Sequence, residues 1–280
     1  STVKALCPTA HIDPAFGNSQ ECRDYVAKTG KWSDDPKADT RIDGTFEEWG
    51  ELPDEPGQGA RTDIAAVYEM IADGKVVGLF QGRMEFGPRA LGNRSIIADA
   101  RSEEMQVKLN RKIKFRESFR PFAPAVLKED VSGYFDLDCD SPYMLLVAEV
   151  NQNRRVAKDV SVDLEKYDDD MLQIVKQKRS DIPAVTHVDY SARVQTVSEK
   201  TNPGFYKILN EFKKLTGYGV VVNTSFNVRG EPIVESPMQA YECFMRTNMD
   251  ALVLEDCILL KEMQPHWIEN DDWKERFVLD

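Results

Sequence analysis

No apolar run in the 280-residue chain approaches the roughly 20 residues that a membrane-crossing helix needs, so the sequence predicts no transmembrane span. No basic segment followed by an apolar stretch opens it, so no secretory signal is visible. The first residue is Ser1 and not Met, which reads as a chain processed, tagged or cut from something longer. Histidine is scarce: His11, His187 and His266 are the only three, and two of them lie in terminal segments, poor material for a metal site. The five cysteines, Cys7, Cys22, Cys139, Cys243 and Cys257, are odd in number and scattered, without a C-x-x-C pair. They read as reduced thiols of a cytoplasmic protein, not as a disulfide frame or a zinc site. Positive charge is also short. The 36 basic residues against 48 acidic ones leave a net charge of −12, which excludes non-specific duplex binding as the main activity.

What is present belongs to a folded protein. The hydrophobic share of 41% lies near the globular range and excludes disorder as the main state. Residues 1–63 read as an acidic connector, because Trp32 to Thr62 is rich in Asp, Glu, Pro and Gly and shows little apolar periodicity. From residue 64 the pattern changes. Ile64, Val67, Tyr68 and Ile71 fall on one helix face, which Asp73-Gly74 stops. Further helices are expected over Glu103 to Ile113, Pro203 to Leu215 and Pro237 to Arg246. Strands are expected at Val76–Phe80, Ile96–Ala98, Ala123–Leu127, Tyr143–Val147, Val220–Val222 and Ala251–Leu254. Mixed strands and helices predict an α/β or α+β class with one mixed sheet. A main domain over 64–262, a polar insertion at about 151–181 covering one edge, and a tail over 263–280 complete the outline.

The charge is unevenly placed. Residues 82–120 hold ten basic side chains against five acidic ones, a local +5 inside the acidic chain. Arg89 and Arg94 stand in a turn-rich stretch with Gly87, Pro88 and Gly92, poor ground for a solvated helix face. Glycine lets backbone approach an anion and guanidinium binds phosphate oxygens in forked pairs, so Gly-Pro-Arg with Gly-Asn-Arg reads as a phosphate cradle. It is not a Walker loop, and no G-x-G-x-x-G follows a strand. Lys114 and Arg116 alternate with Ile113 and Phe115, which predicts a strand entering a cleft with charge on one face; Arg120 follows. Two later segments mix polar and apolar side chains, Thr186 to Val197 and Asn223 to Pro232, the second just after an expected strand, where α/β ligand crevices open. Asn223 to Asn227 also reads as a turn satisfied by its own side chains, and His187 beside Asp189 as a structural hydrogen bond.

EFGPRALGNRS at 85–95, IKFRESFRPFAPAVL at 113–127, HVDYSARVQTV at 187–197 and NTSFNVRGEPIV at 223–234 resemble, in order over roughly 64–262, the C-terminal part of the O-carbamoyltransferases of nodulation-factor and antibiotic biosynthesis. The resemblance implies the YrdC-like fold of threonylcarbamoyl-adenylate synthases, an open twisted sheet flanked by helices. Their Lys-x-Arg and Ser-x-Asn pairs are echoed by Lys114-x-Arg116 and Ser225-x-Asn227. It also implies a chemistry: carbamoyl phosphate and ATP with Mg²⁺ form carbamoyl-adenylate and release pyrophosphate, and the carbamoyl group passes to a hydroxyl of a small acceptor. Transfer belongs in that family to an N-terminal, hsp70-actin-like domain with a His-rich metal site, expected here in cis or trans because its histidines and nucleotide loops are absent from residues 1–60.

On this resemblance Arg89, Lys114 and Arg120 are expected on phosphate and carbamoyl oxygens as catalytic cations. Arg94, Arg116 and Arg193 are second choices for phosphate contact or orientation. Asn223, Ser225 and Asn227 are expected to hydrogen-bond the adenylate, and Arg229 to close the site. Neither a side-chain nucleophile nor a metal bound by this chain is required. Arg89 and Lys114 are expected to face solvent or ligand. The family usually has Gly-Thr after His-Val-Asp, and Tyr190-Ser191 here is expected to narrow the pocket beside His187 and Asp189. Two other readings stand beside this one: a non-catalytic nucleotide or single-stranded RNA-binding module, against which the acidic balance counts, and a threonylcarbamoyl-adenylate synthase.

Overall fold

The computed structural model describes residues 5–6, 59–156, 177–255, 257–264 and 266–267, with side chains described from residue 65 onward. Most of the acidic connector, the middle of the polar insertion and most of the tail lie outside the described residues. The chain divides into two compact units, residues 1–96 with 225–280, and residues 97–224. The class is mixed α/β, each unit being a mixed sheet flanked by helices.

In the first unit, β1 (Ala5–Leu6) is followed by α1 (Gly59–Ala72), β2 (Val77–Phe80) and the opening of β3 (Arg94–Asp99). Val67 and Ile71 bury the inner face of α1, and Gly74 ends the helix in the left-handed region, at φ +75°. β2 is buried along its whole length and pairs in parallel with β8 (Ala251–Leu254). A strand covered on both faces needs no polar side, which is why both read as unbroken apolar runs. β8 turns at Glu255 into the antiparallel β9 (Cys257–Leu260), and β1 pairs with β9. Numbering the remaining helices α2 to α5 along the chain, α5 (Pro237–Arg246) packs on β8 and β2; Ser236 caps it by accepting from the Gln239 N–H.

The second unit follows with α2 (Met105–Lys112), β4 (Ala123–Leu127), the single helical turn α3 (Val131–Tyr134), β5 (Leu146–Glu149), β6 (Ser191–Val197), α4 (Pro203–Thr216) and β7 (Val220–Ser225), whose last residue belongs to the first unit. Its strand order is β7-β4-β6-β5, with β4 antiparallel to β7 and parallel to β6. Asn202 caps α4 by accepting from Phe205 N–H, and Gly217 closes it at φ +82°. Phe205, Ile208, Leu209 and Phe212 face β4; each buried phenylalanine contributes about 2–3 kcal/mol.

Several expectations change. Residues 113–116 form no strand: the Lys114 N–H returns to Leu109 O, the Arg116 N–H to Asn110 O, and Phe115 sits at φ +47°. The segment is therefore the closing turn of α2 leading into a loop. β7 runs on through Asn223 and Thr224 to Ser225, so the polar triplet is strand and not the turn after it. The strand expected at Tyr143 begins at Leu146, and β6 and β9 arise where no strand was expected. Cys257 is disulfide-bonded, against the reading of five reduced thiols, whereas Cys139 and Cys243 are free.

Candidate functional site

In the first unit the chain between β2 and β3 folds on itself around glycines. Gln81 anchors it: its N–H donates to Asn93 O and its side-chain amide to Gly92 O at 2.8 Å. The Gly82 N–H donates to Glu255 Oε1. Gly92, at φ +116°, turns the Leu91 and Asn93 N–H groups onto one acceptor, Glu85 Oε1, at 2.8 and 2.7 Å. In the stretch expected to cradle phosphate, a pair of converging N–H groups thus holds the chain's own carboxylate. Arg94 is 5% exposed. Its guanidinium lies 3.4 Å over the Phe80 ring and donates to the carbonyls of Gln81, Gly82 and Asn93, so it shapes the loop from beneath. Arg89 stands exposed on the same loop.

The same unit carries Ser225, Asn227 and Arg229. Phe226 is fully buried and its N–H donates to Arg94 O, which turns its two polar neighbours the other way. Ser225 Oγ donates to Asn227 Oδ1 at 2.7 Å, and Asn227 Nδ2 donates to Glu231 O.

The second unit carries Lys114, Arg116, Arg120, Arg193 and Asn223. Lys114 is 4% exposed, so of the two placements expected for it, facing solvent or facing ligand, it does not take the first. The chain there returns tightly onto α2, the Lys114 N–H donating to Leu109 O at 2.9 Å. Arg116 Nε donates to Asn110 Oδ1 at 2.7 Å, and its guanidinium lies 4.9 Å from the Phe122 ring centre. Arg120 is half-exposed and pairs with Glu117 at 3.0 Å. Asn223 Nδ2 donates to Gln195 Oε1 at 2.6 Å across the small Ala123 and Ala125 of β4. Arg193 on β6 reaches Met144 Sδ.

A cavity of about 450 Å³ opens beside this loop, lined by Gln106, Phe119, Pro121, Arg179, His187 and Asp189. A second, of about 490 Å³, shares Gln106, Phe119 and Arg179 and adds Lys108, Lys112 and Lys178. Burial lowers the His187 pKa, with Arg193 acting in the same direction and Asp189 opposing it. Two bonds from Ser191, Oγ at 2.7 Å and N–H at 3.0 Å, hold Asp189 below the usual carboxylate range. Ser191 Oγ spends its proton on Asp189, so its 3.3 Å contact with His187 Nδ1 requires that nitrogen to be the donor. Tyr190, expected to narrow this pocket, turns its ring to Arg155 instead, 5.0 Å away.

The expected residues divide between the two units, Arg89, Arg94, Ser225, Asn227 and Arg229 belonging to one and Lys114, Arg116, Arg120, Arg193 and Asn223 to the other. Sequence reasoning passed over Gln81, Glu85, Gln106, Asn110 and Arg179. For Glu85 the signal was its place beside a Gly-rich basic motif; the helical Gln106 and Asn110 gave none. Among the described residues no group of three or more His, Cys, Asp or Glu gathers as a metal site, and no helix is long and apolar enough to cross a membrane.

Residues 68–261 match the family described as carbamoyltransferase C-terminus. An uncharacterized protein of Synechocystis sp. is 56% identical over 216 residues, covering 76% of this chain and 34% of that protein. The nodulation protein NolO of Bradyrhizobium diazoefficiens is 42% identical, covering 69% of this chain and 31% of the relative. The 3'-hydroxymethylcephem-O-carbamoyltransferase of Streptomyces clavuligerus is 37% identical, covering 68% and 32%. The chain spans about a third of the length of these curated relatives. Among solved structures, T. kodakarensis HypF aligns over 75% of this chain and 22% of its own at 18% identity and a TM-score of 0.45.

Proposed function

The chain belongs to the carbamoyltransferase C-terminus family, and from that premise we propose that it is the adenylate-forming part of an O-carbamoyltransferase. Carbamoyl phosphate and ATP, the latter as its magnesium complex, are the proposed substrates. Balanced, the reaction consumes one water and yields carbamoyl-adenylate, phosphate and pyrophosphate. The adenylate is a mixed anhydride, so a hydroxyl-bearing small molecule can take the carbamoyl group with AMP as leaving group and no enzyme nucleophile. Transfer falls in this reading to an hsp70-actin-like domain in cis or trans.

The observation that carries the reading is the cationic loop Lys114 to Arg120, fastened to α2 at the edge of a cavity. Both substrates are polyanions and the chain is acidic overall, so a concentrated set of cations is the physical requirement for admitting them. Arg89, Lys114 and Arg120 are the proposed phosphate and carbamoyl contacts, with Arg94 and Arg116 behind them, and Arg193, Asn223, Ser225, Asn227 and Arg229 completing the substrate contacts. The test is pyrophosphate release from ATP by the folded chain as a function of carbamoyl phosphate. No release at saturating concentrations of both would end the proposal for this chain. Release with threonine and bicarbonate instead would identify a threonylcarbamoyl-adenylate synthase, and salt-steep retention of single-stranded RNA without turnover would identify a binding module.

A further inference from the structure

The loop 113–120 carries three of the proposed substrate cations yet has neither strand nor helix to hold it. It is fastened to α2 by hydrogen bonds, three of which are made by one side chain. Asn110 lies in the last turn of α2 and is 0% exposed, among the apolar Met105, Leu109 and Ile113. Its Nδ2 donates to Ser118 O at 3.1 Å and to Arg120 O at 2.8 Å. Its Oδ1 accepts from Arg116 Nε at 2.7 Å, and its backbone carbonyl accepts the Arg116 N–H at 3.0 Å. One turn earlier, Gln106 Nε2 donates to Phe119 O at 2.9 Å and Arg120 O at 3.2 Å. A fully buried carboxamide is costly unless its groups are hydrogen-bonded, and here these bonds go to the cation-bearing loop.

We propose that Asn110 is the positioning residue of this site: its carboxamide sets the backbone at Ser118 and Arg120 and the plane of the Arg116 guanidinium, so that Arg116 and Arg120 meet an anionic substrate at a fixed spacing. This rests on the adenylate-forming reading for its consequence in catalysis. The hydrogen bonds define what a substitution does. Asn110→Ala removes both the donor and the acceptor. Asn110→Asp keeps an acceptor for Arg116 but sets carboxylate oxygens against two carbonyls, so it isolates the loop from the guanidinium.

The test uses the full chain, unsubstituted and as Asn110→Ala, Asn110→Asp and Gln106→Ala. Turnover is read by pyrophosphate release and local order by hydrogen exchange of the 113–120 amides. A displacement on the order of 1 Å of positioned groups costs about a hundredfold in rate, so both Asn110 variants are expected to lose about that much kcat. The KM for ATP should rise by less than the fall in kcat. Exchange should quicken in 113–120 and stay unchanged in β6 and α4. Turnover within about threefold of the unsubstituted chain, or unaltered exchange in the loop, overturns the proposal. If neither Asn110 variant folds, Gln106→Ala decides: it should lose about tenfold in kcat with the same local exchange, and no change in either overturns the proposal. If the unsubstituted chain releases no pyrophosphate, the adenylate reading fails on its own account. The role of Asn110 is then judged by loop exchange and by ATP retention in equilibrium dialysis, where a loss under about threefold overturns it.

Discussion

Gly78 and Phe226 are in such close contact that a Cβ on Gly78 would stand 2.8 Å from the Phe226 ring. Phe226 is the middle residue of Ser225-x-Asn227, and its burial turns both polar neighbours away from the core. Met249 Sδ, 3.2 Å from the same Cβ position, leaves the ring little room to yield. Gly78→Ala should therefore destabilise by about 2 kcal/mol, the usual scale of overpacking, measured by urea unfolding. It should also lower pyrophosphate release more than an apolar substitution of similar cost in α4. Wild-type stability in the Ala variant would show that Phe226 is not wedged against β2.

Arg94 and Arg89 are five residues apart on one loop and should behave as opposites. Arg94 makes four donor contacts to three backbone carbonyls and covers Phe80, so Arg94→Met leaves buried acceptors without their donor. The expected cost is about 3 kcal/mol. Arg94→Lys should fall between the two, because a point ammonium cannot reproduce the fork. Arg89→Ala, at an exposed site, should leave stability within about 0.5 kcal/mol while reducing turnover. Equal destabilisation by the Arg94→Met and Arg89→Ala substitutions would contradict this division of roles.

The same contrast shows how far the sequence could be read. β4, β8, α4 and α5 were legible because short apolar runs and helical spacing are local signals, and all four elements lie where those signals put them. The basic loop was legible as a concentration of charge but not as a shape. Alternation at Ile113 to Arg116 has the period of a strand; the chain instead turns because the Lys114 and Arg116 N–H groups find carbonyls of α2 and Phe115 takes a left-handed φ. Lys114 is buried there. Asn110 was silent because two of its three side-chain bonds go to backbone carbonyls, which carry no signature in the amino-acid string, and Glu85 was marked only by the motif beside it, since its partners too are backbone N–H groups.

His187 supplies a dependence on pH. Burial is the main cause of its lowered pKa, and Asp189 and Arg193 act on it with opposite signs. In the unfolded chain the imidazole titrates near its ordinary value of about 6.5, so between that value and its lower folded pKa the unfolded state binds more protons. Stability should thus be greatest above about pH 6.5 and decline as pH falls through the folded pKa. Asp189 has the same sign but acts in the acid range below its ordinary value of about 3.9, which separates the two windows. Unfolding free energies of the unsubstituted chain and His187→Gln from pH 8 to pH 5 should diverge, the Gln variant losing less on acidification. Parallel curves would mean that His187 is solvated.

Tyr190 sits at φ +67° in the turn that enters β6, backbone that favours glycine. Its backbone is committed on both sides, the N–H donating to His187 O at 3.0 Å and the carbonyl accepting from Val150 N–H at 2.8 Å, so the conformation cannot relax without breaking the turn. An L-residue there bears a penalty of about 1–2 kcal/mol that glycine does not. Tyr190→Ala keeps that penalty and loses the ring beside Arg155; Tyr190→Gly loses the same ring but escapes the penalty. The Gly variant should therefore be more stable than the Ala variant by about 1 kcal/mol, after allowing for glycine's greater unfolded-state entropy. In ordinary helix or strand backbone the order is the reverse, glycine being worse than alanine by about 0.5–1 kcal/mol, so the sign alone decides. Melting of the two variants side by side reads that sign, and an Ala variant more stable than the Gly variant would remove the left-handed turn from this account of the His187 and Asp189 wall.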